Sequence, residues 1–159
     1  MEARARYFRL MEDVMYELIC VNFLKERYIN IERWTSIILA VFSSTGIASW
    51  FFWKEYAIYA AFAIAISQIV SIAMPFFEMR KKIEKLLIAS DEMQELADHV
   101  ENRWAAVNSK LSDEEIDDLI SSIRTKQKKY LSGLVRPNDK TCTKAEKRLN
   151  QYIKTHFYE

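Results

Sequence analysis

Two apolar runs, parted by one charged pair, constrain this chain more than any other feature. The first, Trp34 to Trp53, reads WTSIILAVFSSTGIASWFFW; the second, Tyr56 to Phe77, reads YAIYAAFAIAISQIVSIAMPFF, with Lys54 and Glu55 between. Neither run contains Asp, Glu, Lys, Arg or His. About 20 such residues suffice for a helix to span a bilayer core, whereas helices in soluble cores are usually shorter and carry charge. One unbroken helix over both runs would be roughly 66 Å long at about 1.5 Å per residue, twice the hydrocarbon thickness. The expectation is therefore an all-α membrane protein whose transmembrane helical hairpin (34–53 and 56–77, within 34–77) turns back at Lys54-Glu55.

The flanks give that hairpin an orientation. Lys25, Arg27 and Arg33 precede the first run, and Arg80, Lys81, Lys82 and Lys85 follow the second. Positive flanks stay inside, which places both termini in the cytoplasm and the protein in the inner membrane as a multi-pass chain. Trp50, Trp53, Tyr56 and Tyr59 crowd the outer turn, as headgroup-level aromatics do. The charged first 33 residues leave no room for a cleavable leader. Two glycines and two prolines, with no period-2 alternation in the long runs, support helices throughout. A net charge of +1 offers nothing to a polyanion, so no nucleic-acid partner is expected. Cys20 and Cys142 stand far apart and read as free thiols.

Within the runs, small residues recur at four-residue spacing: Ser36, Ala40, Ser44 and Ala48 in the first, Ala57-Ala61-Ala65 and Ala63-Ser67-Ser71 in the second. Such rows let helix backbones approach closely, and hydroxyls bond across the contact. One row serves the hairpin's own seam, and another leaves a face for a neighbouring subunit. Ser36, Ser43, Ser44, Thr45, Ser49, Ser67, Gln68 and Ser71 are accordingly the pore-lining or helix-interface residues. The other reading of the hydroxyls is local bonding to backbone carbonyls. Two helices cannot enclose a channel, so any conduction requires an oligomer.

The rest divides into an N-terminal cytoplasmic or interfacial helix (1–33) and a cytoplasmic helical domain (78–159). Tyr7, Leu10, Met11, Val14, Leu18 and Phe23 make the first amphipathic. From 79 to 107 Ile83, Leu86, Ser90, Met93, Ala97, Val100, Trp104 and Val107 alternate at spacings of three and four. That heptad-like seam has two readings: a coiled coil joining several copies, with Ile83, Leu86, Met93, Ala97, Val100 and Trp104 as the oligomer seam, or packing against the N-terminal helix of the same chain. Asn108 to Leu111 ends this helix, and Ser112 with Glu115 forms a capping box for the next. Ile116, Leu119, Ile120, Ile123, Gln127 and Tyr130 trace its inward face, Gly133 follows its end, and Thr143 with Glu146 reads as a cap for a final helix to about Phe157. Arg80, Lys81, Lys82, Arg124, Lys126, Lys128 and Lys129 are the candidate contacts for an anionic ligand or lipid headgroups.

A charged N-terminal helix with the aromatic pair Tyr7-Phe8, a paired span beginning at Arg33-Trp34, a minimal outer turn and a long charged helix after Glu78 resembles the SLATT group of bacterial two-transmembrane proteins. The resemblance covers most of the chain and rests on architecture and hydropathy. It implies a membrane effector of antiphage defence that forms pores or disrupts the bilayer when activated. A nucleotide second messenger or a soluble sensor protein is the controlling partner it implies, beside the lipid bilayer and further copies of the chain. The alternative function is a non-conducting membrane anchor or adaptor for a soluble partner. No Gly-rich phosphate loop, nucleophile elbow or metal-ligand cluster occurs, so neither enzyme activity nor a cofactor is expected.

Overall fold

No proline falls between Glu2 and Phe52, and the backbone there is one α-helix of 51 residues, α1 (Glu2–Phe52). The polarity of the side chains changes at Arg33-Trp34, but the i to i−4 ladder needs only backbone amides and is not interrupted. The computed structural model describes residues 2–52, 59, 62, 65–69, 79–134 and 137–157. Side chains are described at all of these except 39, 42–52, 156 and 157. Longer helices among the described residues that follow are α2 (Met79–Ser109), α3 (Asp113–Leu131) and α4 (Asp139–Phe157). The fold is all-α, as its glycine and proline content anticipates.

The chain forms two compact units that do not follow sequence order. Unit 1 joins Met1–Glu26 to Glu84–Glu159, and unit 2 is Arg27–Ile83. Unit 1 has a closed apolar core. Ala3, Tyr7, Leu10, Met11, Val14 and Leu18 of α1 meet Met93, Leu96, Ala97, Val100 and Val107 of α2 and Ile116, Ile120 and Ile123 of α3. Burying each of the larger side chains contributes roughly 1.5–3 kcal/mol before conformational entropy is set against it. The Tyr7 ring lies 6.2 Å from that of Trp104, at an interplanar angle of 13°, and Phe8 meets Trp104 at 5.5 Å and 56°.

Local chemistry sets the helix ends. Ser112 takes the Glu115 amide on its side chain while the Glu115 carboxylate takes the Ser112 amide, so the capping box is present in both halves. After α3, Gly133 has φ +80°, the conformation that glycine adopts without steric cost. The final helix differs from its expected start. It is capped by Asn138, whose Oδ1 accepts from the Thr141 amide at 3.1 Å and the Thr141 hydroxyl at 2.7 Å. Thr143 lies inside α4 and bonds back to the Asp139 carbonyl, so it caps nothing.

The transmembrane hairpin requires correction. No helix among the described residues is long and apolar enough to cross a membrane, which overturns both the membrane-protein fold and the multi-pass inner-membrane placement. Residues 34–52 of the first run continue α1 without a break from turns that carry charge throughout. In the second run, residues 59, 62 and 65–69 are described, and the rest of the 56–77 span lies outside the described residues, as do Lys54 and Glu55.

Candidate functional site

Unit 2 arranges its side chains in a sense opposite to that of unit 1. At 3.6 residues per turn, Trp34, Ile37, Ile38 and Val41 share one face of α1, and Tyr28, Glu32 and Thr35 share another. The apolar face is the exposed one, with Trp34 63% and Ile38 50% accessible. The face bearing Glu32 and Thr35 is half-buried. Thr35 satisfies itself by donating to the Ile31 carbonyl at 2.7 Å, and Glu32 accepts from Arg80 Nε at 3.3 Å. The segment 65–69 repeats the pattern: Ser67 is buried at 7%, while Ile66 and Ile69 are exposed, as is Phe62 at 69%. Water does not favour such an arrangement, because exposed apolar area costs about 25 cal/mol per Å².

The expected pore or interface residues divide accordingly. Ser36 and Gln68 are exposed and Ser67 is buried, all in unit 2. The side chains of Ser43, Ser44, Thr45 and Ser49 lie outside the described residues, as does Ser71. Arg80, Lys81 and Lys82 are exposed residues of unit 2, and Arg124, Lys126, Lys128 and Lys129 are exposed on α3 of unit 1. Of the two packings left open for the α2 seam, the structure adopts the intramolecular one from Leu86 onward. Leu86, Met93, Ala97 and Val100 are buried inside unit 1, and Trp104 packs against its core from the side. Met93, Ala97 and Val100 meet the apolar side chains of α1 in that core. Ile83 is buried as well, in unit 2.

Between α1 and its neighbours, unit 1 carries polar contacts that spacing alone does not reveal. Lys25 Nζ donates to Ser90 Oγ at 2.7 Å, and Ser90 Oγ donates to Asn22 Oδ1 at 2.8 Å. This chain satisfies a buried hydroxyl in the seam. It does not make a nucleophile, since Ser90 is enclosed and its proton is committed to an amide oxygen. Further along α1, Gln127 Nε2 donates to Glu17 Oε2 at 2.6 Å. Burial pushes the Glu17 carboxyl above its ordinary range, opposed by the Gln127 bond and assisted by nearby Asp13. The Tyr16 phenol is pushed above its ordinary pKa by the Cys142 thiol first, then by burial and by the Cys20 thiol. The Cys20 thiol is itself pushed up by burial. The two cysteines, remote in sequence, thus belong to one neighbourhood.

Tyr16, Glu17 and Cys20 also line a cavity of about 310 Å³, together with Leu24, Leu131 and Leu134. Sequence reasoning missed this place; Gln127 on the inward face of α3 was its one trace, since a buried amide demands a polar partner. No cluster of metal-ligating side chains is found among the described residues. Comparison with known proteins adds no identity: neither a family model, a curated protein nor a solved structure matches this chain.

Proposed function

We propose that this chain is a self-associating effector that acts on lipid bilayers, with unit 1 as its receiving part and the apolar surface of unit 2 as its acting part. One observation carries the reading: unit 2 presents Trp34, Ile37, Ile38, Phe62, Ile66 and Ile69 outward, while Ser67 is buried and Glu32 and Thr35 are half-buried. An outward apolar face is at equilibrium only in an apolar surrounding, which acyl chains and neighbouring copies supply. The action is disruption from a bilayer surface, and no described helix has to cross for it to occur. A role in antiphage defence, under a nucleotide second messenger or a soluble sensor protein, follows from the resemblance to the SLATT group and belongs to this proposal. It assigns no catalytic step.

Vesicles loaded with a self-quenching dye test it. The full chain is expected to float with the vesicles and release the dye, and Ile38→Lys with Ile66→Lys to abolish both. Withdrawing two isoleucines from contact with acyl chains costs about 1.5–3 kcal/mol each, enough to reduce binding by well over tenfold. Helicity by circular dichroism verifies that unit 1 is intact in the variant. Flotation without dye release is the outcome that favours a non-conducting adaptor. Absence of flotation at any lipid concentration defeats the proposal.

A further inference from the structure

The basic residues of the chain are unevenly distributed. Residues 124–154 hold ten Lys or Arg against two acids, although the whole chain has a net charge of +1. On α4 their spacing is helical. At about 3.6 residues per turn, Lys140, Lys144, Lys147 and Lys154 fall within about 80° of the helix circumference, with Arg148 at the edge. All five are exposed. The opposite face seats the helix in unit 1, where Ala145 is fully buried and Thr141 is 9% accessible. The Tyr152 hydroxyl donates to the Glu101 carboxylate at 2.8 Å, and the Arg148 guanidinium stands 5.7 Å from the centre of the Phe23 ring. These contacts fix the rotation of α4, so the lysine stripe points outward. Asp139 and Glu146 lie together on one flank and leave the stripe uniformly positive. Among the described residues, none of the four lysines is ion-paired.

We propose that the lysine stripe of α4 is an electrostatic docking face for the anionic headgroups of a bilayer. The inference rests on the reading of the chain as acting on bilayers, and adds the class of lipid that attracts it. Charge complementarity carries it. Four like charges along one line of a folded helix repel one another, and a negative surface relieves that repulsion. From Lys140 to Lys154 the stripe extends about 21 Å at about 1.5 Å per residue, so a flat surface meets all four ammoniums at once. Each lysine near an anionic leaflet strengthens binding by about fivefold. A nucleic acid is the less suited polyanion. No aromatic side chain stands on the stripe to stack on bases, and the outward apolar side chains of unit 2 fit acyl chains rather than phosphates. Attraction by charge and insertion of apolar side chains are separate signals, and stable anchoring at a membrane takes two.

Partition of the full chain onto vesicles tests it, with phosphatidylcholine alone compared against phosphatidylcholine containing about a third phosphatidylglycerol. The anionic vesicles are expected to bind more tightly by well over tenfold at physiological salt, and the gain to vanish near about 1 M salt, where charges are screened within about 3 Å. Lys144→Gln is expected to lower the gain about fivefold, and Lys140→Gln, Lys144→Gln and Lys147→Gln together to erase most of it. Binding to phosphatidylcholine alone is expected to be unchanged in both. Lys110→Gln, an exposed lysine outside α4, is expected to leave the gain intact. Equal partition onto both vesicles overturns the proposal and leaves the bilayer reading standing; absence of partition onto either overturns both. A gain that survives the triple variant places the anion-binding surface elsewhere and overturns it. So does an equal loss in Lys110→Gln and Lys144→Gln, which makes net charge the cause. Tighter binding to duplex DNA than to the anionic vesicles, lost in the same variant, assigns the stripe to nucleic acid and overturns it too. Circular dichroism checks that helicity is kept, and should the triple variant lose it, Lys144→Gln alone decides.

Discussion

The Tyr7 hydroxyl donates to the backbone carbonyl of Val100 at 3.0 Å, joining the first turns of α1 to the middle of α2 inside a closed core. Tyr7 is fully buried, and its ring stacks on Trp104. Tyr7→Phe keeps the ring and loses the bond, and is expected to lower unfolding stability by about 1 kcal/mol. Tyr7→Ala also leaves a cavity and is expected to cost about 3–5 kcal/mol. Urea unfolding followed by helicity measures both.

The same phenol sets an alkaline limit. Burial pushes its pKa up to about 12 from an ordinary 10, with Arg103 opposing the shift. The folded value is the higher one, so this contribution to stability is whole below pH 10 and is lost as pH rises from there toward 12. Tyr152, raised to about 12 by burial and its bond to Glu101, acts in the same direction. Tyr7→Phe is expected to flatten the decline of melting temperature across that window.

Glu17 makes a prediction of its own. Its carboxyl titrates above the ordinary value, chiefly through burial, so its contribution favours the fold in acid and is lost as pH rises through the folded pKa. Glu17→Gln keeps a partner for Gln127 and removes the buried charge. The variant is expected to melt higher than the parent at pH 7, with the difference disappearing below about pH 4, where the carboxyl is protonated in both states. Thermal melts at the two pH values decide it.

Ser112→Ala removes the cap of α3 and is expected to cost about 1 kcal/mol. Glu115 reports on the same box: its pKa is lowered by hydrogen bonds from the Ser112 backbone and then from its side chain. In the variant that pKa is expected to rise toward the ordinary glutamate value, because the side-chain bond is gone. Carboxyl-selective NMR titration follows it directly.

Gly133→Ala isolates a backbone effect. A Cβ built at Gly133 meets nothing within 4 Å, so packing is not at stake. The φ of +80° alone is expected to make the alanine variant about 1 kcal/mol less stable. Chemical denaturation measures the loss.

The parts of the fold legible in sequence are those written in neighbouring residues. The Ser112 box, the glycine after α3 and the α2 stripe from Ile83 to Val107 all rest on spacings of a few positions. The start of α4 was misread because two capping sequences stand five residues apart, and Asn138, directly after Pro137, prevails over Thr143. The continuity of α1 was hidden by the change from charged to apolar residues at Arg33-Trp34, to which the backbone is indifferent. A coiled coil between copies and packing on α1 demand the same stripe, so spacing cannot separate them. The cavity was illegible for a different reason. Glu17 and Gln127 are 110 positions apart, and neither carries a local sign of the other.

Unit 1 is assembled from both sides of an intervening segment, and this bears on the order of its synthesis. Tyr7, Leu10, Val14 and Leu18 leave the ribosome early, yet the side chains that cover them begin at Met93. Until then they have no lasting shelter, and the bond from Tyr7 to Val100 closes a loop of 93 positions. A nascent chain halted before α2 therefore displays the apolar stripe of α1 bare. Any factor that shields exposed helices during translation has its longest interval there, and a premature stop anywhere before Val100 leaves a fragment with no means of closing its own core.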